Sequence, residues 1–224
     1  MIGKLRALVS VLFACFAVGA VIAPAASAAV EFHSERERTE YWVEKSEGLM
    51  TFNNGQVLCT HQELKGIIDS DTSSSNELML AAEYECGGPL GTKAEVKMNG
   101  CEYRLDAIEK DAEGYYVGLM DIECPSGKLI EINEVKGSEL KCRVKLPEQK
   151  AITKATYLNA NEGKGKERYI IAWWTFTGIK YTQEAGFGLG KCTAESASNG
   201  TYESLFHILG VRPLSLEYFG IWVA

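Results

Sequence analysis

The sequence predicts an all-β protein: an antiparallel β-sandwich, Ig-like or barrel-like in closure, stapled by disulfides behind a cleaved N-terminal signal helix. Short runs rich in Val, Ile, Thr, Tyr and Phe recur roughly every 8–15 residues, punctuated by Gly, Asn-Gly and Pro, which is the rhythm of a sandwich or barrel. No long helical pattern interrupts them. After residue 28 the cysteines are Cys59, Cys86, Cys101, Cys124, Cys142 and Cys192, an even set that implies three bridges and allows about fifteen connectivities.

Residues 1–28 have the layout of a secretory signal. Lys4 and Arg6 precede an apolar stretch over residues 7–23, Pro24 breaks it, and Ala26-Ser27-Ala28 supplies the small-x-small cleavage site. A membrane anchor is the rival, since the run approaches the ~18 residues that span a bilayer, but it lacks a charged stop-transfer flank. Leu12-Phe13-Ala14-Cys15 loosely resembles a lipobox; Phe13 is bulky for one, and apolar residues follow Cys15 in place of a polar tether. The expected location is therefore secreted, extracellular or cell-envelope, with no stable membrane insertion after cleavage.

Lys4 and Arg6 leave with the signal and no acid does, so 23 bases and 30 acids become 21 and 30, a net −9. An acidic surface repels nucleic acid and anionic lipid and argues against both as partners. The remainder divides into a charged arm or edge strand at 29–48, an all-β domain at 49–210 and an apolar tail at 211–224.

Asn54-Gly55 reads as a two-residue hairpin turn between strands at 49–53 and 56–60. Later strands are expected at 62–69, 77–86, 93–98, 101–109, 114–124, 128–134, 139–146, 151–159, 167–177, 178–183 and 200–210. Asn54-Gly55, Asn99-Gly100 and Asn199-Gly200 are read as ordinary turns, not as a repeat.

Opposed residues of an antiparallel pair have a constant sum of sequence numbers. A turn near 111–114 gives a sum near 225, placing Cys101 opposite Cys124, Tyr103 opposite Ile122 and Leu105 opposite Met120, all on one face. A turn within 69–76 gives a sum near 145 and opposes Cys59 to Cys86. Cys142 and Cys192 pair by elimination.

Motifs for chemistry are near misses. Ala185-Gly-Phe-Gly-Leu-Gly-Lys-Cys192 has Ala and Cys where a phosphate-binding P-loop needs Gly and Ser or Thr, so it reads as a Gly-rich loop ending at a disulfide. The acidic stretch 69–77 has Ser74 where a calcium loop turns on Gly, and Leu80 where its bidentate acid stands. His33, His61 and His207 are dispersed and suggest no zinc site. No G-x-S-x-G elbow occurs, and among 30 acids no carboxylate pair can be nominated for glycoside hydrolysis. No metal, cofactor or catalytic residue is expected.

Consecutive aromatics are the remaining candidates. In a strand one of Trp173 and Trp174 faces the core and the other the surface, and Tyr115 and Tyr116 behave likewise. An outward ring of this kind can stack on a sugar face.

Phe52–Gly55 leading to Cys59, Tyr84-Glu85-Cys86, Met98-Asn99-Gly100-Cys101-Glu102-Tyr103 and Ile122-Glu123-Cys124-Pro125-Ser126-Gly127-Lys128 form a recognisable set. It continues through Cys142, Pro147-Glu148-Gln149, Thr156-Tyr157, Gly178-Ile179-Lys180-Tyr181-Thr182 and Asn199-Gly200-Thr201-Tyr202. Over about residues 50–205 the chain resembles a group of secreted disulfide-containing β-proteins common in soil actinobacteria. That group has no assigned activity and supplies no residue roles. The expectation is a non-enzymatic binding module, with cell wall or polysaccharide as the partner to test. Its alternatives are a secreted polysaccharide or cell-wall hydrolase and a self-assembling envelope protein.

Overall fold

The computed structural model describes residues 29–36, 39–43, 46–68, 74–75, 77–161, 168–188, 191–211 and 217–224. The signal segment and most of the acidic stretch 69–77 lie outside them. Among the described residues there is no α-helix; one 3-10 turn, Pro89–Gly91, interrupts the strands.

The first six strands are β1 (Phe32–Ser34), β2 (Glu40–Val43), β3 (Gly48–Phe52), β4 (Gly55–Ile67), β5 (Ser74–Ser75) and β6 (Glu77–Gly87). Next come β7 (Lys93–Lys97), β8 (Glu102–Asp106), β9 (Glu109–Lys110), β10 (Tyr116–Glu123), β11 (Ile130–Lys136) and β12 (Glu139–Leu146). The chain finishes with β13 (Gln149–Asn161), β14 (Arg168–Ala185), β15 (Glu195–Val211), β16 (Tyr218–Phe219) and β17 (Ile221–Val223).

The antiparallel pairing closes on itself twice. One circuit runs β4-β6-β8-β10-β13-β14-β15-β2 and back to β4. The second runs β4-β6-β7-β11-β12-β14-β15-β3 and back to β4. Long β4, β6, β14 and β15 belong to both, each giving one end to either circuit, so the sheet is barrel-like. The inward side chains of both circuits form one continuous core.

Bulges fuse strands that the sequence separates. Cα pairing shifts between Cys59 and His61, joining 56–60 and 62–69 into β4. Gly178, at φ +77°, lets β14 run through residue 178 while its inward parity switches from Ala172, Trp174 and Phe176 to Ile179, Tyr181 and Gln183. Asn199-Gly200 is no turn: both residues lie inside β15, with Gly200 opposite Ile179 at that irregularity. The β3–β4 turn is Asn53-Asn54, with Phe52 paired to Gly55, one residue earlier than Asn54-Gly55 suggests.

The stretch expected as an arm or edge strand supplies β1 and β2, and β2 has a neighbour on each side, β15 and β4. The apolar tail supplies β16 and β17. Strands β17, β1 and β5 form a small sheet packed on the β13 end of the first circuit, where Phe32 meets Tyr157 edge-on at 5.3 Å. Asn159 acts there as a stand-in for a strand: its Nδ2 donates to Val223 O at 2.7 Å, and Val223 N donates to its Oδ1 at 2.8 Å.

Cys59 is bonded to Cys86, Cys101 to Cys124 and Cys142 to Cys192. Cys59 and Cys86 are direct cross-strand partners, and Tyr103–Ile122 and Leu105–Met120 share the register that brings Cys101 to Cys124. Three such bridges belong to a protein that folds in an oxidising environment. No helix among the described residues is long and apolar enough to cross a membrane.

Candidate functional site at the mouth of the second circuit

The inward rows of β11 and β14 begin as ordinary core. Ile130 and Ile132 are buried, and so are Ile179 and Tyr181. Each row then ends on a polar residue in the same phase: Glu134 is 4% exposed and Gln183 3%. Together with the Asn53-Asn54 turn, Pro89, Thr92 and the segment around Cys192, they line a cleft of about 480 Å³. That volume suits a ligand of a few rings.

Polar groups in this mouth are incompletely satisfied. Asn54 Nδ2 donates to Glu134 Oε1 at 2.6 Å, leaving Asn54 Oδ1 buried without a hydrogen-bond partner among the described residues. Gln183 Nε2 reaches Thr193 O at 3.4 Å, while its Oε1 is also buried with no partner among the described residues. Burial pushes the Glu134 carboxyl above its ordinary value, and the Asn54 bond offsets only part of that. Buried acceptors normally find donors, and these two stand beside the cleft with none among the described residues.

A closed set of contacts holds Asn53 in place. Tyr181 packs edge-on against Phe52 at 4.9 Å, and its hydroxyl accepts from Asn53 N at 3.0 Å and bonds Asn199 Oδ1 at 3.2 Å. Asn199 Nδ2 closes the ring by donating to Asn53 Oδ1 at 2.8 Å. On the wall, Lys141 Nζ is held by Glu139 and by Phe187 O at 3.1 Å. Lys136, Lys191 and Glu195 complete a lining of mixed charge.

The aromatic candidates lie elsewhere. Trp174 is 1% exposed, packed on Phe206, Phe176, Tyr103 and Tyr202 inside the core, so it offers no stacking face. Trp173 is half-buried on the outer wall between Thr156 and Leu205, with Tyr115 edge-on at 6.0 Å. Tyr116 is half-buried below Lys110. None of the four lines the mouth.

A second charged cluster also sits on the outer wall. Arg104 faces Asp121, Glu77 and Glu123 at 3.4 Å each for the latter two, and Asp106 at 3.9 Å. Burial alone would raise Asp121, but the Ala151 amide at 2.7 Å, Arg104 and Lys150 hold its carboxyl below the ordinary value. Burial raises Asp106. These acids neutralise two cations, which is the chemistry of a structural ion network.

Glu134 and Gln183 carry no motif. The signal available for them is positional: each is a polar residue continuing an inward apolar row at a strand end. No protein-family model, curated protein or solved structure matches the chain.

Proposed function

We propose that the chain is a secreted, non-enzymatic binding module that takes a hydroxyl-rich ligand, of the class of saccharide chain ends, into the mouth of the second circuit. The observation that carries this reading is a pair of buried acceptors with no partner among the described residues, Gln183 Oε1 and Asn54 Oδ1, beside one cleft. A hydroxyl both donates and accepts, so a polyol can serve those acceptors and the lysine donors at once. Three lysines beside Glu134 and Glu195, with Glu139 paired to Lys141, favour neither a pure cation nor a pure anion. Secretion is supported by the signal-like residues 1–28 and the three disulfides.

The test is retention of the oxidised protein on insoluble cell wall, chitin and cellulose. Wild type should be retained on at least one matrix and Gln183→Leu should not; passage through all of them overturns the reading. One observation favours a second reading, a glycoside hydrolase: the mouth holds a carboxyl raised by burial, Glu134, together with Glu195. Release of soluble reducing sugar from a retained matrix selects it over the binder.

A further inference from the structure

Phe187 is 71% exposed, the most exposed large apolar side chain among the described residues. Exposure of a lone ring is common, but this one stands on a backbone held in place. Phe187 N donates to Leu140 O at 2.8 Å, and Phe187 O accepts from Lys141 Nζ at 3.1 Å. On either side, Gly186 N and Cys192 N both donate to Lys141 O, at 3.0 and 3.3 Å, and Cys192 is tied to Cys142. Lys141 and Cys192 are themselves lining residues of the mouth, so the Phe187 backbone is held next to its rim.

The flanking glycines explain how the ring comes to stand alone. A Cβ at Gly186 would lie 2.1 Å from Leu140 O, so only glycine lets the chain press this closely on β12. Gly188, at φ +71°, then turns the chain in the left-handed region that glycine favours. Within the Gly-rich stretch, Gly186 and Gly188 hold Phe187 between them as a mounted aromatic side chain.

We infer that Phe187 is the aromatic platform of the mouth, covering the C–H face of a sugar ring whose hydroxyl edge is held by Asn54, Glu134 and Gln183. A pyranose has both surfaces, and the lining is mostly polar, with Pro89 its one wholly apolar side chain and no aromatic ring. An apolar ring on a pinned backbone meets the other with little ordering cost. The inference rests on the mouth being a saccharide site and adds a residue that is not part of the cleft lining.

The experiment is calorimetric titration of the oxidised full chain with cellotetraose, chitotetraose and maltotetraose, using wild type, Phe187→Ala, Phe187→Trp and Gln183→Leu. Phe187→Ala should melt as wild type does and bind a recognised probe on the order of tenfold more weakly. Phe187→Trp should retain affinity. Equal binding by wild type and Phe187→Ala, with loss in Gln183→Leu, overturns the platform and leaves the mouth intact as the site. Absence of binding by wild type to every probe overturns both.

Discussion

Asn54 and Glu134, 80 residues apart in sequence, meet through one hydrogen bond of 2.6 Å that joins the β3–β4 turn to the end of β11. The bond places a carboxyl in a buried position that disfavours its charge. A carboxyl raised in the folded state binds its proton more tightly folded than unfolded. Its ionisation therefore costs stability as pH rises from about the ordinary 4.5 through the raised value. Glu134→Gln should abolish that falling limb. Urea denaturation midpoints between about pH 4 and 8 check it, and a wild-type-to-variant difference that stays constant with pH would contradict it.

Asp121 has the opposite sign. Held below its ordinary value, it stabilises the fold at neutral pH, and that contribution is lost as pH falls through its folded value. Asp121→Asn should cost about 1–3 kcal/mol at pH 7 and progressively less in acid. The same denaturation series reads it out.

Gln183→Leu separates folding from binding. It removes a buried oxygen that has no partner among the described residues and sacrifices only a 3.4 Å contact to Thr193 O. Stability should change by less than about 1 kcal/mol in either direction. Matrix retention should disappear, and a large loss of stability would instead mark Gln183 as a structural residue.

The consecutive tryptophans should diverge. Trp174→Ala empties the centre of an aromatic cluster and should cost about 3–5 kcal/mol. Trp173→Ala, on the outer wall, should cost less than half as much and leave retention at the mouth unchanged. Thermal melts and pull-downs of the two variants decide between them.

Among the bridges, Cys142–Cys192 spans 50 residues against 27 and 23 for the others. Loop-closure entropy assigns about 4 kcal/mol to it and roughly 3.5 to each of the shorter two. The Cys142→Ala/Cys192→Ala variant should show the largest fall in stability of the three double variants. It should also weaken retention, since it frees the segment that anchors the rim at Lys141 O.

Strand positions are legible because alternation and turns are local signals, and two bridges follow because short hairpins fix register. Closure is not, since β12–β14 and β3–β15 join strands without any shared turn chemistry. Asn199-Gly200 misleads because the same dipeptide that makes a tight turn also tolerates a bulge, here opposite Ile179. Trp174 and Trp173 divide between core and wall as alternation requires. The mouth is invisible for a different reason: Glu134 is one of 30 acids until the inward phase of Ile130 and Ile132 is known. Phe187 looks like one apolar residue in a glycine loop until its backbone bonds are seen.

The four strands shared by both circuits make the protein a single mechanical object. β14 passes from Arg168, beside β13, to Ala185, beside β12, so unzipping it breaks hydrogen bonds of both circuits at once. Amide exchange along β4, β6, β14 and β15 should therefore follow global opening more than local fraying. A ligand seated between Glu134 and Gln183 should slow exchange as far away as the Phe32–Tyr157 contact, with no change of shape at all.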